Sequence, residues 1–330
     1  MGQPIVRYES GQTAYAFEAM TDSGDNTTFE ASFSPLSQAT GHAPTVAPYG
    51  LKTGGAITPG SSNNEVDVAA MTVVAPGMTG ADADGVVSVS ADTVSITRGL
   101  TTDTHNITSI TVDSSGAIAA VSGTDSTAFS ETRGAAGGPP LIPVGSVEIG
   151  QVRTTSVTAA IVLAGEIFQS PGLHLERYDY PTYTVDYVTG EITFNEALPL
   201  IHTGSVPKKV YIKGSTPLFS PVGYTADWTP AQASKSSSSE STYDGPVNSF
   251  TDSLGQASFS AKVDNPISAA LEQLTSENLW FEYRHDRDAS IPKQLTQGYL
   301  SSSWSSQAGG GKVSVSYTIS ASVATRNIIA

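Results

Sequence analysis

The chain has 330 residues, no cysteine, and 16 Lys plus Arg against 31 Asp plus Glu, for a formal net charge of −15. Without cysteine, zinc–thiolate, iron–sulfur and thiol chemistry are excluded, and the net anionic balance opposes binding of a phosphate backbone through a basic face. Only 14% of residues are charged, while 44 Ser, 37 Thr, 13 Tyr and 10 Phe describe a folded chain with a neutral hydroxyl surface rather than an acidic disordered one.

Residues 1–41 mix aromatics (Tyr8, Tyr15, Phe17, Phe29, Phe33) with turn residues and read as an N-terminal arm with the first strands. Asp22-Ser23-Gly24-Asp25-Asn26 resembles a calcium loop, but Phe33 stands where such a loop ends in Glu, so a polar turn is expected. The opening Met1–Val6 has no basic segment followed by a long apolar core, which predicts no leader and folding in a cytoplasm. The longest apolar run, Val157 to Ala164, is far short of the roughly 20 residues of a membrane span.

Residues 42–140 carry short alternating runs: Val66–Val68, Met71–Val74, Val87–Val89, Val94–Thr97, Ile107–Val112 and Ile118–Val121. Turn signals at intervals of about ten residues predict a β-sandwich or small barrel. Residues 1–140 carry 4 basic against 14 acidic residues, and residues 141–330 carry 12 against 17. Gly134–Pro140 is the strongest break in the chain. It is either a linker that divides residues 42–140 from a second domain, 141–330, or an ordered turn inside one larger fold.

Within 141–330, Tyr183–Tyr187, Val188-Thr189-Gly190 and Glu191–Phe194 predict a hairpin, and Lys209–Ile212 another strand. Residues 232–246, with Ser236, Ser237, Ser238 and Ser239, read as a long mobile loop. Ala257–Val263, Leu279–Arg284 and Val313–Val323 alternate strictly, so successive side chains face opposite ways. The last of these strands has one apolar face and one face of Ser314, Ser316, Thr318, Ser320 and Ser322. Pro266 after Asp264-Asn265, with Ile267, Leu271 and Leu274 on one side, predicts one short helix at about 266–275.

No motif assigns catalysis. The five histidines lack metal spacing, and no nucleophile elbow, P-loop or dinucleotide fingerprint is present. His174, Glu176 and Asp179 form one local polar cluster, read as surface. Gly309-Gly310-Gly311-Lys312 reads as a hairpin turn, and Arg284–Asp288 as a solvated charged turn. A non-enzyme without cofactor or metal is expected. Trp280 and Trp304 fall on the polar side of their alternations, where an outward Trp is an interface anchor unless a loop or the helix covers it.

From Thr216 to the end, a strand at Tyr224–Trp228, the polar loop, the Ala257–Val263 strand, the helix, Leu279–Arg284, Tyr299–Trp304, a Gly-rich turn and Val313–Val323 follow in an order that resembles the major tail tube proteins of long-tailed bacteriophages. Gly145–Ile149 through Lys208–Tyr211, and Val66–Val74, resemble phage structural proteins as well. The resemblance implies a mainly β fold, a sandwich or half-barrel flanked by one short helix, with residues 42–140 as an additional β-rich domain, inserted or of decoration type. It implies rings of six copies stacked into a tube that conducts DNA without holding it, located in the virion tail. Tape-measure, tail-terminator and distal-tail proteins are the partners it implies, and no membrane. Ser314, Ser316, Thr318, Ser320 and Ser322 become candidate lumen-facing residues, and Ser236–Ser239, Trp280 and Trp304 candidate contacts between copies. The alternative is a decoration, baseplate or adhesin-like module binding a surface glycan through outward Trp and Tyr; a β-rich hydrolase would need an acid pair that no motif supplies.

Overall fold

The computed structural model describes residues 3–48, 50–74, 86–113, 115–169, 183–204, 210–242, 245–262, 270–291, 293–305 and 313–329. The fold is mainly β. Its first strands are β1 Ile5–Ala19, β2 Thr21–Asp22, β3 Thr28–Glu30, β4 Thr45–Pro48, β5 Gly50–Gly54, β6 Ile57–Pro59, β7 Glu65–Val68, β8 Met71–Val74, β9 Val86–Val89 and β10 Asp92–Ser95. The middle of the chain holds β11 Asn106–Val112, β12 Ile118–Ser122, β13 Val147–Thr154, β14 Ile167–Phe168, β15 Tyr183–Asp186, β16 Glu191–Phe194 and β17 Val210–Pro221. The last are β18 Thr225–Thr229, β19 Ala233–Thr242, β20 Gly245–Leu254, β21 Ala257–Lys262, β22 Asn278–Arg284, β23 Lys293–Ser305, β24 Ser314–Ala321 and β25 Arg326–Ile328. No helix among the described residues is long and apolar enough to cross a membrane.

The chain forms two compact units and passes between them four times. The first comprises residues 1–14, 33–44 and 214–330; the second comprises 15–32 and 45–213. The division expected at Gly134–Pro140 is therefore not where the units separate. That segment is a packed turn: Gly137 N donates to Thr124 O at 2.7 Å and Gly134 N to Pro139 O at 2.7 Å. Residues 137–140 are buried. Gly137 has φ +74°, and a Cβ there would sit 2.1 Å from the Ala128 carbonyl oxygen, so only glycine fits. The strands on either side belong together, because β11 pairs with both β12 and β13.

In the first unit the antiparallel order is β18-β21-β24-β23-β22-β1-β17, with β25 added beside β23. The alternation read from the sequence decides which side is buried. Ala257, Phe259 and Ala261 on β21 and Val315, Tyr317 and Ile319 on β24 point into the core, while Ser258, Ser260, Ser316 and Ser320 between them do not. The sheet curls round this core. Trp228 on β18 and Tyr283 on β22 are four strand positions apart, about 19 Å in a flat sheet at ~4.8 Å per strand. Yet their rings stack at 5.5 Å with 4° between planes, and Phe259 stacks on Tyr317 at 5.0 Å between them. This half-barrel core is completed by Val6, Leu271, Leu279, Phe281 and Leu300. Of the expected helix, residues 270–273 are helical and Leu271 is fully buried; its N-terminal half, with Pro266, lies outside the described residues.

The second unit gathers several short sheets. β10-β7-β6, β5-β8-β9 and β12-β11-β13-β14 enclose one aliphatic core built from Val66, Val68, Val73, Ile110, Val147, Val152 and their neighbours. The fourth sheet, β15-β16-β3-β2, contains the expected hairpin, with Tyr183 opposite Phe194 and Asp186 opposite Glu191. Its turn closes with Gly190 N donating to Asp186 O at 2.8 Å, Gly190 having φ +77°. β4 pairs with Val210–Lys213 of β17. Eight basic and twenty acidic residues give this unit a net charge of −12, against eight and eleven, −3, for the first.

Candidate functional site

The site is the bare side of the curled sheet in the first unit. On β24, Ser314, Ser316, Thr318 and Ser320 point away from the buried face, and Ser322 follows exposed beyond the strand end. Registry extends this row into a surface. Ser316 is flanked by Ser260 on β21 and Ser303 on β23; Thr318 is flanked by Ser258 and Ser301; Ser314 is flanked by Lys262 and Ser305. Three strands and three such rungs give a hydroxyl field about 10 Å wide and about 14 Å long, from ~4.8 Å between strands and ~3.4 Å per residue.

Three of these hydroxyls, those of Ser305, Ser301 and Ser260, donate within the sheet. Ser305 Oγ donates to Ser314 O at 2.8 Å, Ser301 Oγ to Thr318 O at 3.3 Å, and Ser260 Oγ to the Asp227 carboxylate at 2.9 Å. Hydroxyl groups carry no formal charge, so they offer a polyanion no fixed positive partner. Lys262 and Asp227 are the charged residues that touch it among those described, so the face is close to neutral. The charge of the chain sits elsewhere, most of it in the second unit.

The other half of the same sheet side is covered. Segment 33–39 lies over β22 and β1, with Leu36 and Ser37 fully buried. Trp280 belongs to this covered half and is 1% exposed. Its indole Nε1 donates to Leu36 O at 2.8 Å and its backbone N to the Glu9 carboxylate at 3.0 Å. Glu9 also accepts from Ser37 Oγ and, at 2.9 Å, from Gln12 Nε2. Trp280 is thus a core residue and not an exposed contact, because a loop from early in the chain seals the face that the alternation places outward. Trp304 is 52% exposed, but it faces the apolar side. It stands opposite buried Val315, two turns of the pleat beyond buried Leu300, and its Nε1 donates to Glu272 at 3.2 Å.

The expected mobile loop is a hairpin instead. β19 and β20 pair over ten positions, from Ala233 opposite Leu254 to Thr242 opposite Gly245, and among the described residues they pair with no other strand. Ser236, Ser237 and Ser238 are exposed along it, and Ser239 stands opposite Asn248. Ser234 and Ser253 share a 2.7 Å hydrogen bond, and Lys235 meets Asp252 at 3.5 Å. A serine run without apolar alternation hides a strand. The sequence signal that could have found it is a turn-forming Asp244-Gly245 midway between two polar segments of equal length.

Of the other polar candidates, His174, Glu176 and Asp179 lie outside the described residues, as does Gly309–Lys312. Asp22 and Asp25 are occupied by their own turn: Asp22 accepts from Gly24 N and Asn26 N, and Asp25 from Thr27 N and Thr28 N. The Thr27 and Thr28 donors hold Asp25 well below the usual carboxylate range. No cluster of three or more potential metal ligands occurs among the described residues. His285 is exposed and packs edge-on against Tyr283 at 4.9 Å. Compared with protein-family models, curated proteins and solved structures, the chain matches none.

Proposed function

We propose that this chain is a structural virion protein whose copies join side by side into rings of six, stacked into the tail tube of a long-tailed phage through which DNA leaves the capsid. The observation that carries the reading is the hydroxyl field of β21, β24 and β23, ordered, bare and almost free of charge. A DNA conduit must contact a polyanion without retaining it. Lysine or arginine rows would displace counterions and hold the duplex. Uncharged serine and threonine hydroxyls release no counterions and do not hold it. Six copies at −15 add a formal −90 per ring, which opposes retention of a polyanion by the assembly as a whole.

The β19–β20 hairpin supports the same reading. Two strands that pair only with each other are marginal in water and gain stability when another surface covers them. A neighbouring copy or ring supplies that surface. Tape-measure, terminator and distal-tail proteins then belong at the ends and interior of the tube. The glycan-binding alternative leaned on outward tryptophans. It has lost Trp280 to the core, and the Trp228 Nε1 is committed to Gln294 at 2.7 Å. Electron microscopy of the purified protein over a range of concentrations tests the proposal. Rings and tubes are expected; solitary particles at every concentration would overturn it.

A further inference from the structure

The first unit holds a cleft of about 580 Å³ whose walls include Gln3, Pro4, Val222, Tyr224, Arg287 and Asp288. Backbone hydrogen bonds tie its frame. Val222 N donates to Val6 O at 2.8 Å, Arg287 N to Gln3 O at 3.0 Å, and Lys262 N to Tyr224 O at 3.3 Å. The turn that carries Arg287 and Asp288 is closed by Asp288 N donating to Asp286 Oδ1 at 3.0 Å and Ala289 N to Asp286 O at 3.2 Å. The walls are thus set before any ligand arrives, which lowers the ordering cost of binding.

Tyr224 has φ +53° and is 62% exposed. A glycine takes that conformation without strain, whereas a bulky side chain there is an outlier of the kind that clusters at ligand clamps. What the tyrosine adds at this conformational cost is an aromatic face open to solvent. Arg287, Asp288 and Gln3 are exposed. Among the described residues, the side chains of Arg287 and Asp288 have no ion-pair or hydrogen-bond partner, whereas Arg7, Arg284 and Lys293 are all drawn to Glu282. The cleft therefore offers a ring face, an uncommitted guanidinium, an uncommitted carboxylate and a carboxamide. An aromatic face covers the apolar face of another ring. A guanidinium matches a carboxylate with two parallel hydrogen bonds. A carboxylate accepts from hydroxyls, and a carboxamide both donates and accepts.

We infer that the Tyr224–Arg287 cleft binds an acidic saccharide, with a sugar ring on Tyr224, its carboxylate on Arg287 and its hydroxyls on Asp288 and Gln3. The volume falls within the roughly 300–1,000 Å³ of small-ligand pockets. A nucleic acid also brings rings and negative charge, but its closely spaced phosphates would meet Asp288 and a chain of net −15. An acidic sugar carries one charge per ring and several hydroxyls for Asp288 to accept from. An apolar ligand would cover Arg287 and Asp288 without pairing them, which costs desolvation. The site goes beyond the tube reading and does not rest on it. It also differs from glycan binding through outward tryptophans, because no tryptophan lines the cleft among the described residues.

Calorimetric titration of the full chain with oligosaccharides of galacturonate, glucuronate and N-acetylneuraminate tests this. Saturable binding of at least one is expected. Its affinity should fall by about tenfold or more in Arg287→Gln, which removes the charge-assisted pair. It should fall about five- to tenfold in Tyr224→Asn, which removes the ring but tolerates the left-handed conformation. The same oligosaccharide with its carboxyl groups reduced to alcohols should bind about tenfold more weakly and be indifferent to Arg287→Gln. Circular dichroism and tryptophan fluorescence confirm that both variants stay folded. No saturable binding of any of these acids at millimolar concentration, binding unchanged in both variants, or tighter binding of a single-stranded oligonucleotide of equal charge overturns the inference. Micrographs of the same preparations separate it from the tube reading. Saccharide binding by particles that stay solitary sinks the tube and leaves the site; tubes that bind no acidic saccharide sink the site and leave the tube.

Discussion

Glu282 offers the sharpest test of how the first unit is held together. Its carboxylate is 1% exposed and faces three cations: Arg284 Nε at 2.7 Å, Arg7 Nη1 at 2.9 Å and Lys293 Nζ at 3.3 Å. These join β1, β22 and β23. Glu282→Gln keeps the volume and one acceptor but leaves three positive groups facing each other. Removing one partner of a buried pair costs about 3–5 kcal/mol. The cations are 18–26% exposed, so water partly compensates them and the lower end, about 3 kcal/mol, is expected. With m of about 2 kcal/mol/M in urea, the midpoint falls by about 1.5 M. Tryptophan fluorescence follows this unit alone, because Trp228, Trp280 and Trp304 all lie in it. Acid provides the sign. Burial raises the Glu282 pKa, but the hydrogen bonds from Arg284 and Arg7 and the charges of Lys293 and Arg284 outweigh it and hold the group below its ordinary value of 4.5. A depressed folded-state pKa stabilises the protein above the unfolded-state value and loses that contribution as pH falls through the folded one. The gap between wild type and Glu282→Gln is therefore wide at pH 7 and narrows below about pH 4. A gap under about 1 kcal/mol at pH 7, or one that persists undiminished at about pH 3, refutes the reasoning.

Trp280→Leu should cost about 2–4 kcal/mol in the same urea experiment, since it empties a sealed space and orphans the Leu36 carbonyl; a surface anchor would show no such loss. Replacing one rung of the hydroxyl field, Ser260→Lys with Ser303→Lys and Ser316→Lys, should leave stability within about 0.5 kcal/mol per site and create DNA retention that falls steeply with salt. Filter binding at two salt concentrations reads this, and equal retention by wild type would remove the non-adhesive wall. Excising residues 237–250 and joining Ser236 to Thr251 through Asn-Gly should leave the unfolding of the first unit within about 0.5 kcal/mol while abolishing tubes in micrographs. Tubes of normal length from that protein would contradict the role given to the hairpin.

Strand identity was legible wherever one face is apolar and the other small and polar. Val313–Val323 announced its buried Val315, Tyr317 and Ile319 and its bare Ser316 and Ser320, because a period of two needs no partner to be read. The Tyr183–Phe194 hairpin was legible for the same reason, with Gly190 marking its turn. The Ser236–Ser239 strand was not, since serine offers no alternation and its pairing with β20 is what makes it a strand. Trp280 shows a different gap. Its alternation correctly places it opposite Phe281, but whether the side opposite the core faces water depends on Leu36 and Ser37, more than 240 residues earlier in the chain. The Gly134–Pro140 break likewise looks identical in sequence whether it joins two domains or closes a turn within one.

What one strand's own residues determined was local: its existence, its two faces, and the hydroxyl character of one of them. Tertiary structure alone decided which strands lie side by side, so that isolated serines on β21, β24 and β23 become one field. It also decided which half of that sheet side segment 33–39 seals, and how the chain's excess negative charge divides between the units. Periodicity is a property of neighbours in sequence, whereas adjacency and cover arise from contacts between segments that are remote along the chain.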